Sequence, residues 1–217
     1  MPIREVWLTS SLQKLFEEPD LISNKEKEAI AELLSESIDE LAEALPIVSP
    51  VELARDIHGG VDKLIQVRQR DPISQAKQIT CRKGCAHCCS QIVASSDIEA
   101  KLLAHVMKEQ GLTIDRARLE RQAGRNDASW LEQSAEDRTC VFLGPDNTCR
   151  VYEHRPASCR KYFSISDPSL CDLTTNPEGR VSVWFALYAE MVTSAMFTAC
   201  TTGFLPDLLL AELRREP

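Results

Sequence analysis

Apolar residues recur every three or four positions through most of residues 1–75, the spacing that places them on one face of a helix. The segment 23–45 shows this pattern most regularly. It opens with Ser23 and Glu26, whose separation is that of a capping box. The pattern predicts a long amphipathic helix with a defined start.

A second apolar stripe runs through residues 49–70. Ser49 is a suitable cap and Pro50 suits the first helical position, so a second helix is expected to begin there. Gly59 and Gly60 interrupt the stripe, and glycine weakens helix interiors. We therefore expect either a kink or two shorter helices.

Further along the chain, Ser96 and Glu99 again have capping-box spacing, and Gly111 is a plausible helix end. The apolar positions between them predict a third helix. Residues 115–135 are rich in charge and predict an exposed helix.

The segment that begins "TCVFLGPDNTCRVYEHRPASC" changes character. Residues 141–143 and 150–152 flank the turn-rich "GPDNT", which predicts a small hairpin with a cysteine near each end. Pro156 is suited to begin a short helix that carries Cys159.

The most apolar stretch is residues 183–200, with Glu190 near its middle. A charge at that position favours a core helix over a membrane span. Pro206 then marks the start of a last, leucine-rich helix.

Together these elements predict a mainly α, bundle-like fold with a small β-hairpin or irregular, cysteine-rich metal-binding region. We expect a helical N-terminal extension (1–75), a cysteine-cluster domain (76–175) and C-terminal helices packed on the core (176–217). The three regions together are short enough to form one compact domain.

Composition narrows the class of protein. The chain has 217 residues, 43% of them hydrophobic, and a formal net charge of -8, which argues against general nucleic-acid binding. The start, "MPIREVWLTS", does not have the pattern of a secretory signal, so we expect a cytoplasmic protein without membrane attachment. Thiols stay reduced in that compartment, and nine cysteines therefore favour metal over disulfides.

Eight of the nine cysteines fall into two segments. The candidate metal ligands are Cys81, Cys85, Cys88, Cys89, Cys140, Cys149, Cys159 and Cys171. Eight thiols suit two four-thiolate sites, or one site with an additional thiol pair, and the spacing leaves both open. Because Cys88 and Cys89 are adjacent, we expect their side chains to diverge, with one of them ligating or the pair bridging two centres.

Thiolates select zinc, copper(I) or iron-sulfur clusters. A crowded loop of three cysteines with a remote fourth is more typical of a cubane, so a [4Fe–4S] cluster is favoured over Zn²⁺. Arg82 and Lys83 make the first segment basic, and Arg155 and Arg160 add positive charge to the second. Cations at such positions offset the negative charge of thiolates.

The motif "CRKGCAHCC", followed by "CVFLGPDNTCRVYEHRPASCRKY", resembles the CxxCxxCC family of bacterial zinc- or iron-chelating domains, also called YkgJ-like. The resemblance covers about residues 78–172. It implies metal chelation through the seven motif cysteines, with Cys171 as a looser match. Flagellin lysine methylases have a similar cysteine pattern, which implies that an enzyme is one alternative.

Three functions therefore stand side by side. The first is a metal-binding protein with a structural, carrier or sensing role. The second is an iron-sulfur enzyme of redox or group transfer, and the third a metal-free thiol redox protein. The sequence does not identify a catalytic residue or a protein partner. Of the other candidates, Cys200 is expected to be a core residue, and His58 and His105 to be ordinary surface residues.

Overall fold

The structure, a computed structural model, describes residues 6–72, 78–178 and 181–215. Within these residues it contains ten α-helices and one two-stranded antiparallel sheet. The helices are α1 (Ser10–Glu17), α2 (Asn24–Ala44), α3 (Pro50–Arg70), α4 (Asp97–Gln110), α5 (Arg116–Gln122), α6 (Asp127–Leu131), α7 (Ala135–Arg138), α8 (Ala157–Lys161), α9 (Leu187–Ala199) and α10 (Leu205–Arg215). The strands are β1 (Ala94–Ser96) and β2 (Thr202–Phe204). The predicted mainly helical fold with a small β element is confirmed.

The helix starts agree with the predicted caps. Ser23 and Ser96 both form complete capping boxes at the starts of α2 and α4. Ser49 caps α3 through the backbone N–H of Glu52, and Gly111 ends α4 in a left-handed conformation. Local hydrogen bonding therefore sets these boundaries as the sequence indicates.

The expected division of α3 into two shorter helices is wrong. The helix runs unbroken through Gly59 and Gly60 to Arg70. Buried residues lie on both sides of the glycines, among them Ile57 and Val61, and packing of this stripe holds the helix together.

The expected single helix over residues 115–135 is also wrong. The chain forms three short helices, α5 to α7, because Gly124 takes a positive φ of 74° and Asn126 starts a new capping box. Leu119 and Trp130 are buried, so the segment is packed against the rest of the protein rather than fully exposed.

The main apolar core combines residues of α3, α4, α9 and α10 with residues of the cysteine-rich segment. Helix α9 also packs on α1 and α2 through a second, smaller cluster. No described helix combines the length and the apolar character that crossing a membrane requires. Residues 183–200 contribute α9, whose Glu190 is buried and paired with Lys161, as expected of a core helix.

Strands β1 and β2 pair antiparallel, with Ser95 opposite Gly203. The backbone N–H of Asp97 extends this pairing to the carbonyl of Thr201. The sheet fixes the entry of α4 against the start of α10. The predicted hairpin around residues 141–152 is reduced to one antiparallel bridge between Leu143 and Cys149, and it forms no regular strands there.

The three-region organisation stays a prediction. Its first boundary, at residues 75 and 76, lies outside the described residues.

Candidate metal centre

The first cysteine loop, residues 81–90, is built around a tight turn. Gly84 has a positive φ of 85°, a conformation that glycine adopts readily, and the N–H of Cys85 donates to the carbonyl of Arg82 at 3.0 Å. A short 3₁₀ helix, His87–Ser90, then carries Cys88 and Cys89. The turn and the 3₁₀ helix together hold the four cysteines of the first segment within one short loop.

The second segment presents Cys140 and Cys149 at the two ends of the Leu143–Cys149 turn. The backbone N–H two residues further on, of Phe142 for Cys140 and of Val151 for Cys149, acts to lower the pKa of each thiol against the effect of burial. Such N–H donors lower the pKa of the thiol that accepts them and stabilise the thiolate. The same local geometry therefore prepares both residues to carry negative charge.

Two further elements carry the remaining cysteines. Cys159 lies in the five-residue helix α8, where the predicted short helix is confirmed. Cys171 ends the 3₁₀ helix Pro168–Cys171 and is buried.

Backbone hydrogen bonds join the two segments directly. The N–H of Cys140 donates to the carbonyl of Cys89 at 2.8 Å. The N–H of Ser164 donates to Sγ of Cys81 at 3.2 Å, and the indole of Trp130 donates to the carbonyl of Ser90 at 2.8 Å. Segments about fifty residues apart in sequence are thus held against each other.

Electrostatic effects link the eight thiols in two sets, and Cys88 acts on members of both. Cys88 lies within electrostatic range of six other cysteines. We name the outer thiol group Cys81, Cys85, Cys88 and Cys171. We name the inner thiol group Cys89, Cys140, Cys149 and Cys159.

The inner thiol group lies against the main apolar core. Cys140 and Cys149 pack on it directly. Burial raises the pKa of Cys140 to about 11 and raises the pKa of Cys159 well above its usual value. Without a cation these thiols are therefore protonated at neutral pH.

Of the outer thiol group, Cys81 lies beside an open cavity, whereas Cys171 is buried. A cavity of about 580 Å³ is lined by Cys81 together with Thr80, Arg82 and Asp167. Burial still raises the pKa of Cys81, and it raises the pKa of Cys171 to about 11. A small molecule or ion can approach Cys81 through the cavity.

The side chains of Cys88 and Cys89 do not diverge as expected. A hydrogen bond between the two thiols lowers the pKa of Cys88 to about 7 and raises that of Cys89. Both residues lie in the 3₁₀ helix His87–Ser90.

Arginines supply positive charge near the sulfurs. Arg155 lowers the pKa of Cys88 and Cys149, and its guanidinium lies 3.8 Å from the ring centre of Tyr152. Arg160 is buried and pairs with Asp62 of α3, so its partner is a carboxylate rather than a sulfur.

One histidine, His58, differs from expectation. His87 is partly exposed, with Nδ1 3.9 Å from a carboxylate oxygen of Asp172. His58 is not a surface residue, because it is buried and its Nε2 lies 2.9 Å from Oε1 of Glu99. The periodicity of α3 alone could not indicate this pairing, which joins residues 41 positions apart.

Cys200 stands apart from both thiol groups. Its charged neighbours are Asp97, Glu99 and Lys101, and burial raises its pKa to about 12. It packs against the main core, as expected.

The donor chemistry fits a thiolate-bound metal, since each group supplies four thiols. Among residues 6–72, 78–178 and 181–215, no three His, Cys, Asp or Glu side chains already stand as a finished metal site. Binding would therefore have to draw neighbouring sulfurs together around the ion or cluster.

Residues 80–178, just under half of the chain, match the model of the CxxCxxCC family, described as a "putative zinc- or iron-chelating domain". This match supports a general metal-binding role for the segment. No curated protein and no solved structure shows significant similarity to the chain.

Proposed function

We propose, from the match of residues 80–178 to the CxxCxxCC family, that the cysteines of this segment bind metal as thiolates and that this is the function of the protein. The observation that carries the proposal is that six other cysteines, drawn from both cysteine-rich segments, lie within electrostatic range of Cys88. Buried thiols with raised pKa values gain little from such crowding unless a cation compensates their charge.

The two groups suit two four-thiolate sites that share a border at Cys88 and Cys89. Four thiolates satisfy either a [4Fe–4S] cluster or Zn²⁺. We propose an iron-sulfur cluster as the preferred occupant and zinc as the alternative. A reducing, cytoplasmic setting would keep the thiols available for either.

Redox or group-transfer catalysis is the second candidate function, and the cavity beside Cys81 favours it. A catalytic cluster needs a route by which substrate reaches the metal, and only the outer thiol group borders this cavity. Among the described residues, the cavity lining offers one cation, Arg82, and one carboxylate, Asp167.

The test is an anaerobic purification followed by an absorbance spectrum and metal analysis of one sample. Iron, acid-labile sulfide and a broad visible band would support the cluster. Stoichiometric zinc in a colourless protein would support chelation through zinc. The absence of both metals would contradict the proposal and favour the metal-free thiol function.

Substitution of a single thiol provides the matched comparison. Cys85→Ser should lower metal content and melting temperature together, because Cys85 belongs to the outer thiol group. Cys200→Ser should leave metal content unchanged. Equal metal content in the two variants would contradict the assignment of Cys85 as a ligand.

A further inference from the structure

Helix α8, which carries Cys159, begins without a cap of its own. Its N-cap residue is Pro156, whose side chain accepts no hydrogen bond from the backbone N–H groups of the first turn. A helix of five residues is too short to be stable alone. The N–H groups of its first turn therefore need a hydrogen-bond acceptor from outside the helix.

A carboxylate from another helix provides this acceptor. Oε1 of Glu99, in α4, accepts a hydrogen bond of 2.7 Å from the backbone N–H of Ala157, the first residue of α8. Glu99 is fully buried, so this bond is not exchanged for water. Glu99 of α4 thus caps α8, which Pro156 cannot do.

Both carboxylate oxygens of Glu99 are engaged with backbone donors. Oε2 accepts from the N–H of Ser96 at 2.9 Å, while Oε1 also faces Nε2 of His58 at 2.9 Å. A glutamine side chain has one acceptor oxygen, so its amide group would confront one of the two backbone N–H donors. Only a carboxylate satisfies the N–H of Ser96 and that of Ala157 together.

Two more carboxylates hold the same short helix. Asp62 of α3 pairs with Arg160, and Oε2 of Glu190 in α9 lies 2.6 Å from Nζ of Lys161. These contacts bind side chains, whereas Glu99 binds the backbone. Glu99 therefore fixes the place of the helix itself, and with it the position of Cys159 two residues further on.

We propose that Glu99 is the positioning residue of the inner thiol group: its carboxylate caps α8 from α4 and holds Cys159 where it closes that group around metal. The inference rests on the proposed metal-binding function. It adds a residue outside the cysteine motif that determines the affinity of one thiol group and not of the other.

The test uses the full-length, reduced, metal-free protein titrated with cobalt(II) alone, whose sulfur-to-metal absorbance reports thiolate ligation. Alkylation of the loaded protein, followed by mass spectrometry, shows which cysteines the metal protects. In Glu99→Gln the inner thiol group should bind cobalt about 10–100-fold more weakly, and Cys159 should become alkylated. Protection of Cys81 and Cys85 should persist.

Glu109→Gln is the matched control, since Glu109 lies exposed on the same helix and carries the same substitution. It should bind cobalt as the wild type does. Adding Pro156→Asp to Glu99→Gln gives α8 a local cap and should restore protection of Cys159. Unchanged protection of Cys159 in Glu99→Gln, or equal weakening of both groups, would overturn the inference.

A measurement on the wild type covers the case in which Glu99→Gln does not fold. The amide of Ala157 should exchange slowly with solvent in the metal-free protein, because Glu99 holds it before metal arrives. Rapid exchange there would overturn the inference. A wild type that binds no cobalt would overturn the proposed function itself, a result distinct from a wild type and Glu99→Gln that bind alike.

Discussion

At the residue scale, the neighbours of a thiol distinguish a cysteine of the candidate metal centre from a cysteine of the core. Burial raises the pKa of both Cys159 and Cys200. The charges that act on Cys159 come mainly from other thiols, Cys140 first among them. The charges that act on Cys200 come from Asp97, Glu99 and Lys101, and none comes from a thiol. Burial alone therefore does not identify a ligand.

The first residue-scale prediction compares these two cysteines. Cys159→Ser should lower the metal content of the purified protein, because it removes one thiol of the inner group. Cys200→Ser removes a thiol that is also partly buried but belongs to the core, and this variant should retain full metal content. Metal analysis of the two variants side by side checks the prediction, and a loss in Cys200→Ser would contradict it.

The second residue-scale prediction concerns acid. Burial acts to raise the pKa of Glu99, but hydrogen bonds from His58, Ala157 and Ser96 outweigh it and hold the pKa below its usual value. A depressed pKa stabilises the fold above the unfolded-state pKa, about 4.3, and that stability is lost as the pH falls towards the folded value.

The stability difference between metal-free wild type and Glu99→Gln should therefore shrink on acidification from about pH 7 to about pH 3.5. Chemical denaturation at several pH values measures it. A difference that grows as the pH falls would contradict the assigned role of the carboxylate.

The sequence predicts the cysteines well, since their spacing is visible without a structure. It does not predict the partner of Glu99. The capping box explains only its bond to Ser96, and the bonds to His58 and Ala157 depend on three elements packing together. The residue pattern within one helix does not indicate contacts between different elements.

At the element scale, α3 shows that packing outweighs a weak local propensity. A Cβ added at Gly59 or Gly60 would meet no atom within 4 Å beyond the helix's own backbone. The two glycines therefore avoid no visible steric conflict and leave α3 with a propensity cost. The propensity cost of the glycines explains why the sequence indicates two shorter helices, and packing of the apolar stripe explains why the structure has one.

Gly59→Ala and Gly60→Ala should each raise the free energy of unfolding by about 0.5–1 kcal/mol. Gly111→Ala is the control, because Gly111 has a φ of 59° and alanine there should cost about 1 kcal/mol. Urea denaturation of the three variants measures both signs. Destabilisation by Gly59→Ala would show that this face of α3 is not open.

Caps are the part of the elements that sequence predicts best, because each depends on residues three positions apart. The segment of α5 to α7 is the part it predicts worst. There a single charged stretch conceals Gly124 and two caps, Asn126 and Ser134, that divide it.

At the scale of the whole molecule, the helices share an apolar core to which the second cysteine segment adds buried residues, while the two cysteine segments are joined to each other by single hydrogen bonds. Metal that binds only the folded chain stabilises it, by about 4 kcal/mol at a thousandfold excess over Kd. Its removal should therefore loosen the loops more than the helices.

We expect a chelator to lower the melting temperature and to speed amide exchange in residues 80–91 and 139–155, with most helical circular dichroism retained. The Cys200→Ser variant should respond in the same way as wild type. Exchange that increases equally in α2 and α3 would contradict a local effect.

The pairing of β1 with β2 also affects the order in which the chain can be completed. Strand β1 directly precedes the helix that carries Glu99, yet its partner, Thr202–Phe204, comes far later in the chain. All eight clustered cysteines leave the ribosome before that partner does. Newly made thiols therefore emerge before their scaffold is closed, and they must stay reduced and free of the wrong metal until β2 has been made.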